Sequence, residues 1–197
     1  MRTTLIALWQ AMGRMFRFLA VVLLGYLLQV CVMPYLRVGT VTPSLLFATI
    51  AVVTVAYGKL RAFWIGGVYG LLTETMMPSL PYLNLLMYPV SATFCSVFFA
   101  DKSEKRLEYE RSLSKAGRNL NPHLRTPLCA AANTLIYEVV NILYIYLGGT
   151  TLTMSHISKG IADILLTTLL TVVIMVPMRS ALGFHVRRKE KEAPVRY

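Results

Sequence analysis

Three carboxylic acids, Glu74, Glu138 and Asp163, lie within or beside long apolar stretches. An ionised carboxylate in such surroundings costs at least ~2.5–3.5 kcal/mol, so each acid calls for water, a partner or a function. Glu74 and Asp163 fall toward the outer ends of their stretches and Glu138 in the middle of its own. Around Glu138 the spacing is helical. Asn133, Tyr137, Asn141 and Tyr144 recur at i, i+4, i+8 and i+11, with Thr134 and Glu138 alongside, giving one broad polar face. That face fits two readings: the lining of a cavity or ion path, and a buried hydrogen-bond network that glues its helix into a bundle. Under the second, Glu138 is expected to sit inside the bundle, bonded to neighbouring polar groups.

Catalytic chemistry finds little to work with. His123, His156 and His185 have no partner at metal or triad spacing, and no HExxH, GxSxG, P-loop or GxGxxG is present. Cys31, Cys95 and Cys129 lack CxxC spacing and read as small buried hydrophobes. The expectation is a protein that is not an enzyme and carries no cofactor or metal.

The elements that hold these residues follow from the apolar runs. The 197 residues are 56% hydrophobic and 15% charged, whereas a soluble domain carries about 25% charge to build its polar shell. A net charge of +11 suggests nucleic acid in a soluble chain. Here the charges are bunched between apolar runs, where membrane topology itself demands basic flanks, so no nucleic acid is expected. The fold expected is all-α, a polytopic bundle of about six transmembrane helices over residues 1–182, with a basic tail, 183–197.

Spans are expected at about 18–35, 43–57, 62–76, 82–100, 127–147 and 161–178. The segment from Met1 to Phe16 fits either a short interfacial helix or the first turns of the first span. That span is followed by Pro34 and Tyr35 without a small-residue cleavage pattern, so it does not read as a signal peptide. Thr42-Pro43 reads as the start of the second helix, a capping hydroxyl followed by proline. Pro78 and Pro81 break the chain after the third span, and Pro89 is expected to kink the fourth. A charged loop, 101–126, begins as a helical extension with Arg106 and Glu110 at i,i+4. Within the third span Gly66 and Gly70 form a GxxxG pair, a spacing that lets two helix backbones approach closely.

With the N-terminus inside, all of the 20 basic residues except Arg37 and Lys159 fall in cytoplasmic segments. So one-sided a distribution places both termini in the cytoplasm and makes the loop and tail candidates for anionic lipid.

The run from Leu27 to Phe47, LLQVCVMPYLRVGTVTPSLLF, and GGVYGLLTE, Gly66 to Glu74, resemble the MreD family of rod-shape-determining membrane proteins. Matching positions are Gln29, Pro34, Pro43, Leu45, Leu46, Gly66, Gly70, Leu71 and Leu72, with Pro177 and its following Arg similar to the family's C-terminal end. Glu74 stands where the family usually has Asp, and Ser44 where an acid often follows the proline. The resemblance implies a subunit of the bacterial elongation machinery in the cytoplasmic membrane, without enzymatic activity. It would help organise peptidoglycan synthesis with an MreC-like protein, an MreB-like cytoskeleton and a RodA-type synthase. It also makes Gly66, Gly70 and Glu74 candidates for helix packing or partner contact, beside the polar candidates Asn133, Tyr137, Glu138, Asn141 and Asp163.

The alternative is the substrate-binding subunit of an energy-coupling-factor vitamin transporter, also a six-helix protein of about this length. Two features disfavour it. Ala20 is followed by Leu24 where those subunits carry Ala-xxx-Ala, and the first outer loop is only the short turn from Arg37 to Thr42.

Overall fold

A computed structural model describes residues 2–76, 82–102, 109, 112–113, 121–149, 151 and 153–183. Six α-helices have described bounds: α1 (Arg2–Cys31), α2 (Leu45–Tyr57), α3 (Lys59–Met76), α4 (Leu83–Phe99), α5 (Pro122–Leu147) and α6 (Met154–Ala181). No strand occurs among the described residues; Val38 and Val41 exchange two backbone hydrogen bonds across a tight turn in which Gly39 takes φ +62°. Pro78, Pro81, Arg106, Glu110, most of the 101–126 loop and the tail beyond Gly183 lie outside the described residues.

Each expected apolar run carries a helix, but the ends differ. α1 is unbroken from Arg2 to Cys31, so the segment before the first apolar run forms its opening turns. α5 opens five residues earlier than the apolar run, with Pro122 in its first turn, and α6 opens seven residues earlier, at Met154. Helical hydrogen bonding continues into polar flanks wherever capping and packing allow, which hydropathy alone does not register. Pro89 lies inside α4 without ending it.

The start of α2 corrects the expectation at Thr42-Pro43. The cap is Ser44, extended at φ −91°, ψ 103°, and its hydroxyl accepts from the Phe47 N–H at 3.5 Å. The Leu45 N–H donates to Gln29 Oε1 of α1 at 2.6 Å, and the Ser44 N–H to Thr167 Oγ1 of α6 at 3.0 Å. Acceptors supplied by two other helices therefore set the first turn, and Pro43 lies outside it.

Every residue of α2 from Leu45 to Val55 is buried. A helix without a polar face has no side to give to water. It occupies the middle, in contact with α1, α3, α4, α5 and α6. At its end Gly58 takes φ +79°, a left-handed turn that joins α2 to α3 in one residue. The polarity of the bundle is inverted relative to a water-soluble one. Outward positions are apolar: Leu86, Val90, Phe94 and Val97 on α4, and Leu165, Leu169, Val172 and Val176 on α6. Thr49, Thr54, Asn84, Ser91, Asn133, Thr134, Thr167 and Thr171 are buried. By length and composition α5 and α6 are long and apolar enough to cross a membrane.

Candidate functional site

The glycines of α3 set how near α4 can come. A methyl group on Gly66 would lie 2.7 Å from Pro89 Cα and from the Tyr88 carbonyl oxygen, and one on Gly70 would lie 2.7 Å from the Asn84 carbonyl oxygen. Only hydrogen fits at either place. The GxxxG pair thus faces α4 of the same chain, whereas a methyl on Gly67 would meet nothing within 4 Å.

Glu74 ends this hairpin. Its Oε1 accepts from the Tyr82 N–H at 2.6 Å and its Oε2 from the Asn84 N–H at 3.2 Å. A carboxylate there satisfies two of the donors that the first turn of α4 leaves free and lies at the positive end of the helix dipole. Tyr82, the residue before the helix, takes φ +65°, the one left-handed conformation among the described non-glycine residues. The capping carboxylate and the glycine contacts hold that turn.

Asn84 leads inward from the cap. Its Oδ1 accepts from the Tyr137 hydroxyl of α5 at 2.9 Å. Tyr137 also joins an aromatic cluster with Phe47 of α2 and Tyr88 of α4, the last two stacked at 4.8 Å between ring centres. The next residue along α5, Glu138, brings its carboxyl beside Asp163 of α6 and the Asn141 side chain. Asp163 Oδ1 accepts from Thr167 Oγ1 at 3.2 Å, and Thr167 in turn receives the Ser44 N–H. Gly160 makes room for this pair, since a methyl there would come within 3.4 Å of Glu138 Oε2.

Two sequence expectations change here. Because α6 begins at Met154, Asp163 lies more than two turns inside its helix and beside Glu138, not near an end. The single polar face of α5 divides among different partners along its length. Asn133 and Thr134 bond carbonyls of their own helix, Cys129 at 2.9 Å and Ala130 at 3.0 Å. Tyr137 serves Asn84, Glu138 faces Asp163 of α6 with Asn141 beside it on α5, and Tyr144 is exposed. Of the cysteines, Cys95 and Cys129 are buried as expected, while Cys31 is exposed.

At the opposite end, sequence reasoning passed over Arg125 as one more topology charge. It is buried at 6% exposure. Its Nη1 contacts Asp101 Oδ1 at 2.6 Å, and its Nη2 donates to the Phe99 and Ala100 carbonyl oxygens at the end of α4. The Asp101 N–H closes the group onto α2 through the Val55 carbonyl at 3.1 Å. An acid directly after the fourth apolar run, matched by a base at the start of the fifth, is the signal that would have found it.

These groups cap helix ends, fix helix spacing and bring carboxyls together across helices. No cluster of three or more His, Cys, Asp or Glu side chains able to hold a metal occurs among the described residues. Comparison with protein-family models, with curated proteins and with solved structures finds no match.

Proposed function

We propose that the chain is a multi-pass protein of a bacterial cytoplasmic membrane, with about six spans and both termini inside. In this reading it is a non-enzymatic subunit of the elongation machinery that helps organise peptidoglycan synthesis with MreC-like and RodA-like partners. The observation that carries the membrane part is the inverted polarity, with apolar faces outward and hydrogen-bonded Thr, Asn and Tyr inward. Lipid solvates the former, and the interior must satisfy the latter. Charge supports the orientation. Arg17, Lys59, Arg61, Lys102, Arg125 and Arg179 gather at the end where α2 passes into α3, with Arg37 and Lys159 at the other. α2 rises only about 20 Å over its 13 residues. Shorter than a ~30 Å hydrocarbon layer, it suits a central helix whose ends are capped by its neighbours.

The scaffold part rests on the resemblance and on what its motif residues do. Gln29 caps α2, Gly66 and Gly70 seat α4, and Glu74 caps α4. All are architectural roles, as a subunit that positions other proteins requires. The test is affinity purification of the full chain in mild detergent, with the co-purifying proteins identified. Recovery of MreC-like and RodA-like proteins, and rescue of rod shape in cells lacking the endogenous subunit, is the expected result. A pair of ATPases or a bound vitamin would replace this reading with the transporter one.

A further inference from the structure

Tyr57 closes α2, and Arg61 lies in the first turn of α3, just past Gly58. The Arg61 guanidinium rests over the Tyr57 ring, 4.0 Å from its centre, and 5.8 Å from the centre of the Phe18 ring of α1. Phe18 and Tyr57 themselves meet edge to face at 5.8 Å. One face of a planar cation is thereby held on aromatic rings, which leaves its edge of N–H donors for a ligand. Arg17, Lys59 and Arg61 form no ion pair among the described residues, and Asp101, the described acid at this end, is taken by Arg125. An apolar strip leads away from Arg61 along the seam between α1 and α3. The Tyr69 hydroxyl donates to the Val22 carbonyl at 2.9 Å and the Tyr26 hydroxyl to the Leu72 carbonyl at 3.5 Å, which fastens the two helices. Outside these bonds, Leu19 and Leu23 share a face of α1 with Tyr26, at i, i+4 and i+7. Trp64 and Val68 share a face of α3 with Arg61, at i, i+3 and i+7. All four apolar side chains are exposed, Leu19 at 65%, Leu23 at 56%, Trp64 at 63% and Val68 at 44%.

We infer that a phospholipid with a net negative headgroup occupies the α1–α3 seam, its phosphate on Arg61 and an acyl chain between Leu23 and Val68. A preorganised guanidinium at the mouth of an apolar strip matches such a molecule part for part, since a phosphate takes the planar fork and the chain takes the strip. Arg17 and Lys59, uncompensated at the same end, favour a negative headgroup over a zwitterionic one. The site presupposes the membrane reading proposed above and is indifferent to its scaffold part.

Trp9 and Trp64 are the two tryptophans of the chain, so Trp9→Phe leaves one fluorescent reporter, beside the seam. The full chain carrying Trp9→Phe is reconstituted in phosphatidylcholine vesicles that contain a fixed fraction of brominated lipid, either phosphatidylglycerol or phosphatidylcholine. Brominated chains quench an indole they touch. Brominated phosphatidylglycerol should quench Trp64 more strongly, as a binding preference of about tenfold requires. Arg61→Gln should remove that preference while leaving quenching by brominated phosphatidylcholine unchanged, which also shows that the variant is folded in the bilayer. Equal quenching by the two lipids, or a preference that survives Arg61→Gln, would overturn the inference. So would erasure of the preference by inorganic phosphate but not by chloride at equal ionic strength, since the ligand would then be a free anion. Quenching by neither lipid would remove the membrane reading and the site with it, which sets that failure apart from the others.

Discussion

Alanine scanning of the three α3 glycines separates packing from helix propensity in one experiment. At Gly66 the new methyl meets Pro89 Cα and the Tyr88 carbonyl oxygen at 2.7 Å, where ordinary contact begins at 3.4 Å. Both obstacles are backbone atoms and neither can rotate away. α4 must therefore retreat by roughly 0.7 Å, a gap that forfeits about a quarter to a half of the dispersion attraction across the contact. Overpacking of this kind costs ~1–3 kcal/mol. At Gly67 the same methyl meets nothing within 4 Å and brings only the preference of a helix for Ala over Gly, a gain of about 0.5–1 kcal/mol. The propensity change is common to both substitutions, so the difference between Gly66→Ala and Gly67→Ala isolates the packing cost. Unfolding in mixed micelles, followed by circular dichroism as a denaturing detergent is titrated in, reads that difference. Gly70→Leu should fall below both, because its side chain also pushes Asn84 away from Glu74. Equal stabilities for Gly66→Ala and Gly67→Ala, within about 0.5 kcal/mol, would refute the close α3–α4 contact.

Three further outcomes are expected. Glu74→Ala should cost about 1 kcal/mol in the same unfolding assay, since the Tyr82 and Asn84 N–H groups lose their acceptor, while Glu74→Gln should cost less. Arg125→Ala should cost ~2–3 kcal/mol and lower the yield of folded protein, because Asp101 and two carbonyls at the end of α4 lose a buried donor; Arg125→Lys should recover only part. In a background with Cys31 replaced by Ser, a membrane-impermeant maleimide should label Lys159→Cys in intact cells and Lys59→Cys only after permeabilisation. The opposite labelling pattern would invert the proposed orientation.

Apolar runs and their breakers made the helices legible, because a long stretch without charge has few other solutions. The same signal placed ends poorly wherever a helix continued into polar residues, as at Pro122 and Met154. At Ser44 the deciding partners, Gln29 and Thr167, belong to helices distant in sequence, so no local rule would have chosen it over Thr42. The glycine pair was readable from spacing, but not the identity of the helix it faces. Glu138 and Asp163 were each singled out as costly acids. Their meeting depends on the register of two antiparallel helices, which a seven-residue error at the start of α6 concealed. Arg125 was hidden differently, since a basic residue beside an apolar run looks the same whether it anchors topology or seals a helix end.

The central place of α2 has a consequence for biogenesis. It leaves the ribosome second, yet four of the five helices that cover it are made afterwards. Its Leu45 and Ala48 side chains pack against Leu170 and Ile174, and its Ser44 N–H waits for Thr167, all on α6, the last of the described helices to be synthesised. A nascent chain interrupted before α6 therefore carries a core helix with one face bare and its Ser44 N–H without an acceptor, the kind of intermediate that insertion chaperones retain and quality-control proteases cut. Completion of α6 covers the remaining face of α2, and premature stop codons before or within α6 should behave as null alleles.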